Sequence, residues 1–269
     1  MLTFSKIVSL RTKLLSQNRI KLVRHKDSRV EYRDLIKDRD RLLEYQKEQK
    51  NHVFKDCDYI CSFSGLDGSR SVFIGIFKVN GFTECKDKYI YELDEVSGFE
   101  DLKDRLVIDW GKATISWHQW LDEKKDKPIV EILPAGYIGD FPGLLEFTLE
   151  FSELASLYKN PEANRNWFNH LSAVNGIYLI LDTCTGNQYV GSAYGKEGIW
   201  QRWREYSLSK HGGNKHLKEL CSENTEYYKN FRFSVLQSLP SNISDKEVIS
   251  LESLYKQKLG SKTFGLNAN

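Results

Sequence analysis

The sequence predicts an α+β protein in two parts: a mainly β N-terminal domain with flanking helices, then a smaller domain in which helices flank a three-stranded antiparallel sheet. Three observations predict it. Short aromatic and β-branched runs, each bounded by turn residues, follow one another through the middle of the chain. Two helical stretches then interrupt them, and after residue 174 the pattern becomes hairpin, helix, strand and capped helix. At 269 residues the chain can hold two domains of ordinary size.

In the first domain, residues 28–50 place Tyr32, Leu35, Ile36, Leu42, Leu43 and Tyr45 at mostly three- and four-residue intervals, the spacing of an amphipathic helix. The runs DYICSFSG and SVFIGIFKVNG flank LDGSR, whose Asp-Gly favours a turn, and read as paired strands. KYIYEL, RLVIDWG, TISWHQW and IVEIL supply further strands. LEFSELASLYKNPEANRNWFNHLSAV reads as two helices divided at Asn160 and Pro161, since proline stops a helix that precedes it. The domain boundary is placed there, giving 1–165 and 166–269.

The second domain opens with GIYLILDTCTGNQYVGSA, a hairpin turning at Gly186 and Asn187 and ending at Gly191, where a backbone can approach closely. In the helical GIWQRWREYSLSK, Arg202 and Tyr206 are four apart and share a face. FRFSVLQSL alternates Phe231, Phe233 and Val235 on one face of a third strand. Ser244 and Glu247 form a capping box that starts a helix ending before Gly260. Glu252 lies among its apolar positions Val248, Leu251, Leu254 and Tyr255, so its carboxylate needs a partner, either a metal ion or an arginine.

Composition narrows the function classes. No uninterrupted apolar run approaches the ~20 residues that span a bilayer, so no membrane insertion is expected. The N-terminus lacks a continuous apolar core and a small-residue cleavage site, which points to the cytoplasm. The five cysteines lack disulfide or zinc spacing; the C-x-x-x-C of Cys57 and Cys61 falls in a strand-like stretch. The net charge of +2 hides an uneven distribution. Residues 1–50 carry 14 basic against 7 acidic side chains, residues 51–169 carry 13 against 21, and residues 170–269 carry 12 against 9. The basic segment KLVRHKDSR, with Arg24 and Lys26, is therefore a candidate for phosphate contact.

Gly176-Ile177-Tyr178, Tyr189-Val190-Gly191, a helical Arg202, a helical Glu252 and Asn267 near the C-terminus follow in an order and spacing that resemble the GIY-YIG endonuclease family. The resemblance covers about the last third of the chain. It implies a divalent-metal-dependent endonuclease acting on DNA, with Mg²⁺ or Mn²⁺ held by Glu252 and several waters. Tyr178 would act as, or help orient, the general base for the attacking water, a task that requires its phenol to ionise below its ordinary pKa of ~10. Tyr189 would sit beside it, Arg202 would contact the scissile phosphate, and Asn267 would hold the geometry. Some members carry histidine four residues after the arginine, where this chain has Tyr206. Arg204, Lys215 and His216 are candidates for further DNA contact, with His211 nearby in the same glycine-containing stretch.

In outline the β-rich part resembles the small barrels of PUA-like domains, which implies an aromatic pocket, with Phe63, Trp110, Trp117 and Trp120, for a base turned out of the stack. The expected role is restriction, anti-phage defence or service of a mobile element. The alternatives are a catalytically silent nucleic-acid-binding or regulatory protein on the same fold, and a structure-specific repair nuclease. Cutting both strands with one site per chain favours a homodimer.

Overall fold

In the computed structural model, which describes residues 1–14, 18–26, 39–112, 116–122 and 126–268, the chain divides into two units, Met1–Pro134 and Ala135–Asn269. The division falls ahead of the 165/166 boundary expected from Pro161. Residues 135–172 lie with the C-terminal unit because Phe151, Leu154, Leu157, Trp167 and Leu171 are buried in its core.

The first unit runs α1 (Phe4–Arg11), β1 (Ile20–His25), α2 (Arg39–Lys47), β2 (Glu48–Gln49), β3 (Tyr59–Gly65), β4 (Arg70–Cys85), β5 (Lys88–Glu95), β6 (Leu106–Asp109), β7 (His118–Trp120) and β8 (Ile129–Ile132). Its sheet has the order β2-β5-β4-β3-β1-β7, with β6 pairing β4 and β8 pairing β6. Strands β1 and β3 are parallel, which demands the long connection that carries α2. One face packs Leu22, Phe63, Phe73 and Trp110 against Phe4 and Val8 of α1. The other packs Val23, Ile60, Ile74 and Phe77 with Leu42 of α2 and Phe54.

Several expectations for this unit change. Of the helix expected over residues 28–50, the structure holds α2, with Leu42 buried and Tyr45 exposed; Tyr32, Leu35 and Ile36 lie outside the described residues. The basic segment is not a surface strip, because β1 runs between β3 and β7 and all six of its residues are buried. Arg24 donates from Nε to Ser71 Oγ at 2.8 Å and from Nη2 to the Gly68 carbonyl at 2.9 Å, so it serves the fold and not a phosphate. Lys26 is exposed, and its ammonium donates to the Leu66 carbonyl. Phe63 and Trp110 are core residues, so neither can receive a base. Trp117 and Trp120 remain accessible, and the Arg19 guanidinium lies 4.8 Å from the Trp120 ring centroid.

The second unit holds β9 (Leu149–Glu150), α3 (Phe151–Lys159), α4 (Arg165–Ser172), β10 (Asn175–Asp182), β11 (Gln188–Ala193), α5 (Gly198–Ser209), α6 (Lys215–Glu223), β12 (Phe231–Leu239) and α7 (Asp245–Lys258). The expected three antiparallel strands form in the order β11-β10-β12, and the two-residue β9 adds a fourth at the β12 edge. Side chains at alternate positions divide between the faces. Tyr178, Ile180, Phe231 and Phe233 meet α3, α4 and α5 through Leu154, Trp167, Trp200 and Trp203. Ile177, Val190 and Leu239 meet α7 through Val248, with Leu251 and Tyr255 alongside. Leu254, expected in that stripe, is exposed. The Ser244 and Glu247 capping box starts α7 as the sequence predicts.

Candidate active site

The hairpin of β10 and β11 sets the site. Tyr178 and Gly191 are register partners, and a Cβ on Gly191 would lie 2.4 Å from the Tyr178 hydroxyl oxygen. Only glycine leaves room for the phenol to lie across β11. Tyr178 is fully buried, and its hydroxyl is 3.0 Å from that of Tyr206 on α5. Arg202, one turn earlier on α5, donates from Nε to Tyr178 Oη at 3.2 Å and from Nη2 to Tyr206 Oη at 3.3 Å. Its Nη2 also donates to the Gly212 carbonyl at 3.0 Å, while Nη1 pairs with Glu205. Gly212 has φ +56°, and a Cβ there would strike the Tyr206 ring. The HGG loop thus supports Arg202 and Tyr206 without lining the cleft itself.

Buried phenols resist ionisation because the phenolate would lose its hydration. Burial pushes Tyr178 up, with Tyr189 adding to the rise and Arg202 opposing it. Burial also raises Tyr206, with further contributions from Tyr178 and Tyr189. Burial thus favours the neutral hydroxyl at both positions, and a base at Tyr178 would need cations beside it to lower its pKa. Arg202 stays charged despite its burial, as its guanidinium donates to both phenolic oxygens and pairs with Glu205.

The opposite face supplies the carboxylate. Ser192, next to Gly191 and on the other side of β11, donates its hydroxyl to Glu252 Oε2. Glu252 Oε1 lies 2.6 Å from Lys256 Nζ, four residues along α7. Arg202 and Glu252 therefore each have a partner of their own, Glu205 and Lys256. Because β11 is the sheet edge, both faces open to one polar cleft of about 330 Å³, lined by Tyr178, Tyr189, Ser192, Arg202, Glu205 and Glu252 among others.

Asn267 lies outside the cleft, buried against β11. Its Oδ1 accepts from Val190 N at 2.9 Å and its Nδ2 donates to Val190 O at 2.8 Å, so the side chain completes the strand edge as a peptide group would. Arg204 and Lys215 are exposed on α5 and α6, and His216 pairs with Glu219 at 3.0 Å; none of the three lines the cleft. His211 accepts from the Gly213 amide at 3.0 Å. Sequence reasoning missed Ser192, Glu205, Gly212 and Lys256. Three of them left a signal, since Ser192 adjoins Gly191, Glu205 stands at i+3 from Arg202 and Lys256 at i+4 from Glu252.

Among the described residues no group of three or more His, Cys, Asp or Glu forms a metal cage. A one-carboxylate site fits a cation that keeps most of its waters, as Mg²⁺ does, and the Lys256 ammonium already stands against Glu252 as a cation. The residues present fit the group that the resemblance implies.

Residues 174–267 match the model of the GIY-YIG catalytic domain. Among solved structures the chain is similar to the catalytic domain of homing endonuclease I-TevI, at 27% identity and a TM-score of 0.28 over 35% of this chain and 98% of that one. It is likewise similar to a mutant form of the catalytic domain of intron endonuclease I-TevI, at 26% identity and a TM-score of 0.29 over 36% of this chain and 94% of that one. No curated protein matches the chain.

Proposed function

We propose that the C-terminal unit, whose residues 174–267 match the GIY-YIG catalytic domain, cleaves DNA phosphodiester bonds with a divalent cation, Mg²⁺ or Mn²⁺, held by Glu252. One observation carries the reading: a charged guanidinium fixed by two buried hydroxyls shares a single polar cleft with the Glu252 carboxylate on the other face of β11.

Arg202 binds the scissile phosphate. Its Glu205 partner is exposed, and an exposed ion pair exchanges readily for a phosphate oxygen. Tyr178 and Tyr206 hold that guanidinium in place from behind, so Tyr178 helps orient the reacting groups. Tyr189, half-buried in the cleft beside Tyr178, positions the attacking water. A bound divalent cation supplies charge stabilisation to the phosphoryl group in the transition state. Asn267 keeps β11 in register with the other elements. The N-terminal unit selects or restrains the target, with exposed Trp117 and Trp120 as its base-contacting side chains, and the pathway served is restriction, defence or a mobile element.

The test incubates the protein and its Glu252→Ala variant with supercoiled, methylated, phage-derived and branched DNA in Mg²⁺, Mn²⁺ or EDTA. Metal-dependent cutting that the variant lacks supports the proposal, and the preferred substrate separates defence from repair. DNA binding without cutting by the wild-type protein on every substrate overturns it in favour of a binding module.

A further inference from the structure

Each oxygen of the Glu252 carboxylate already has a partner, and one of the two is a full positive charge. Ser192 donates to Oε2, and Lys256 Nζ stands 2.6 Å from Oε1. The ion pair is also sheltered, with side-chain exposures of 18% for Glu252 and 11% for Lys256. At such burial the attraction is screened less than in an ordinary i,i+4 pair on a helix surface. A divalent cation arriving at Glu252 therefore meets a carboxylate whose charge is already neutralised.

We infer that Lys256 is the resident counter-ion of Glu252, and that a divalent cation fills this site only by displacing its ammonium, so that Lys256 sets the metal concentration the site needs. The inference rests on the reading of Glu252 as metal ligand. Lysine suits the role because its charge sits on a flexible four-carbon stem. It also has somewhere to go: Lys256 lines a second hollow of about 370 Å³ with Ser253, Gln257, Lys262 and Thr263, a lining that does not include Glu252. The cation and the ammonium compete for one anion, and each weakens the other's hold by the same factor.

Mn²⁺ binding to the full-length protein without DNA, followed by the loss of the free-ion electron paramagnetic resonance signal, tests this. Lys256→Met and Lys256→Gln remove the charge and keep most of the stem, Lys256→Arg keeps the charge, and Glu252→Ala removes the ligand. The two neutral variants are expected to bind Mn²⁺ about tenfold more tightly, equivalent to about 1.4 kcal/mol, and the arginine variant to stay near wild type. A pair that only supports the helix would shift the melting temperature and leave Mn²⁺ affinity unchanged. Equal or weaker binding in folded Lys256→Met and Lys256→Gln, with binding lost in Glu252→Ala, overturns the role of Lys256 alone. Undiminished binding in Glu252→Ala overturns the reading of Glu252 as metal ligand as well.

Discussion

Gly191 and Tyr178 show how little tolerance the site has, because the phenol occupies the volume that any Cβ at Gly191 would need. Gly191→Ala is expected to push Tyr178 off Arg202 and Tyr206 and slow single-turnover cleavage by about 100-fold, the scale of a 1 Å misplacement, with the circular dichroism spectrum retained. A rate within threefold of wild type would show that the hydroxyl contacts do not position Arg202. Glycine in the Tyr189-Val190-Gly191 triplet was legible in the sequence as a close backbone approach. Gly212 was not, since HGG reads like any surface loop until Tyr206 is seen against it. His25 in the first unit makes a separate prediction. Buried and bonded to Gln46 at 2.8 Å, it has its pKa pulled by burial from 6.5 to about 4. Its neutral form is the one that folds, so its stabilising share is complete above pH 6.5 and declines as pH falls towards 4, where the unfolded chain takes up a proton that the folded one refuses. The loss amounts to about 3 kcal/mol by pH 4. Urea melts at pH 7.5, 5.5 and 4 check it: His25→Gln should melt with a flatter pH dependence than wild type, and equal slopes would discount His25.

At the level of elements, much of the C-terminal unit was legible because its signals are local. The 3.6-residue period puts Arg202 and Tyr206 on one face of α5, and Ser244 with Glu247 marks the start of α7. Ser244→Ala removes that cap and should cost about 1 kcal/mol, lowering the melting temperature while leaving the cleavage rate below the transition unchanged. A fall in rate without a fall in melting temperature would mean that the cap positions Glu252 directly. What was not legible is tertiary. KLVRH looks like a charged surface segment, yet it forms a strand buried on both faces, because Arg24 finds Ser71 and the Gly68 carbonyl on neighbouring chain segments. Pro161 looks like a boundary, yet the helices on either side of it bury Leu157 and Trp167 in one core. Asn267 was placed by resemblance alone; its pairing with Val190 spans 77 residues and leaves no local pattern.

For the molecule as a whole, the sequence holds a single set of Tyr178, Arg202 and Glu252, and that number constrains what DNA it can break. One site engages one phosphate of one strand, so a double-strand break needs either two successive encounters or two chains brought together. With successive encounters, supercoiled plasmid passes through a nicked circle that accumulates before linear DNA appears, and the ratio of the two is insensitive to protein concentration. With paired chains, the linear product should appear early, and its initial rate should rise with about the square of protein concentration below the dimer dissociation constant. Following nicked and linear forms at several protein concentrations, with DNA held in excess, distinguishes the two. A mixture of wild-type and Glu252→Ala chains sharpens the distinction, since a mixed pair carries one competent site and should yield nicked circle in place of linear DNA. Linear DNA that forms without a nicked precursor at every concentration, and is insensitive to the added variant, would mean that one chain cuts both strands, which a single constellation of these residues does not support.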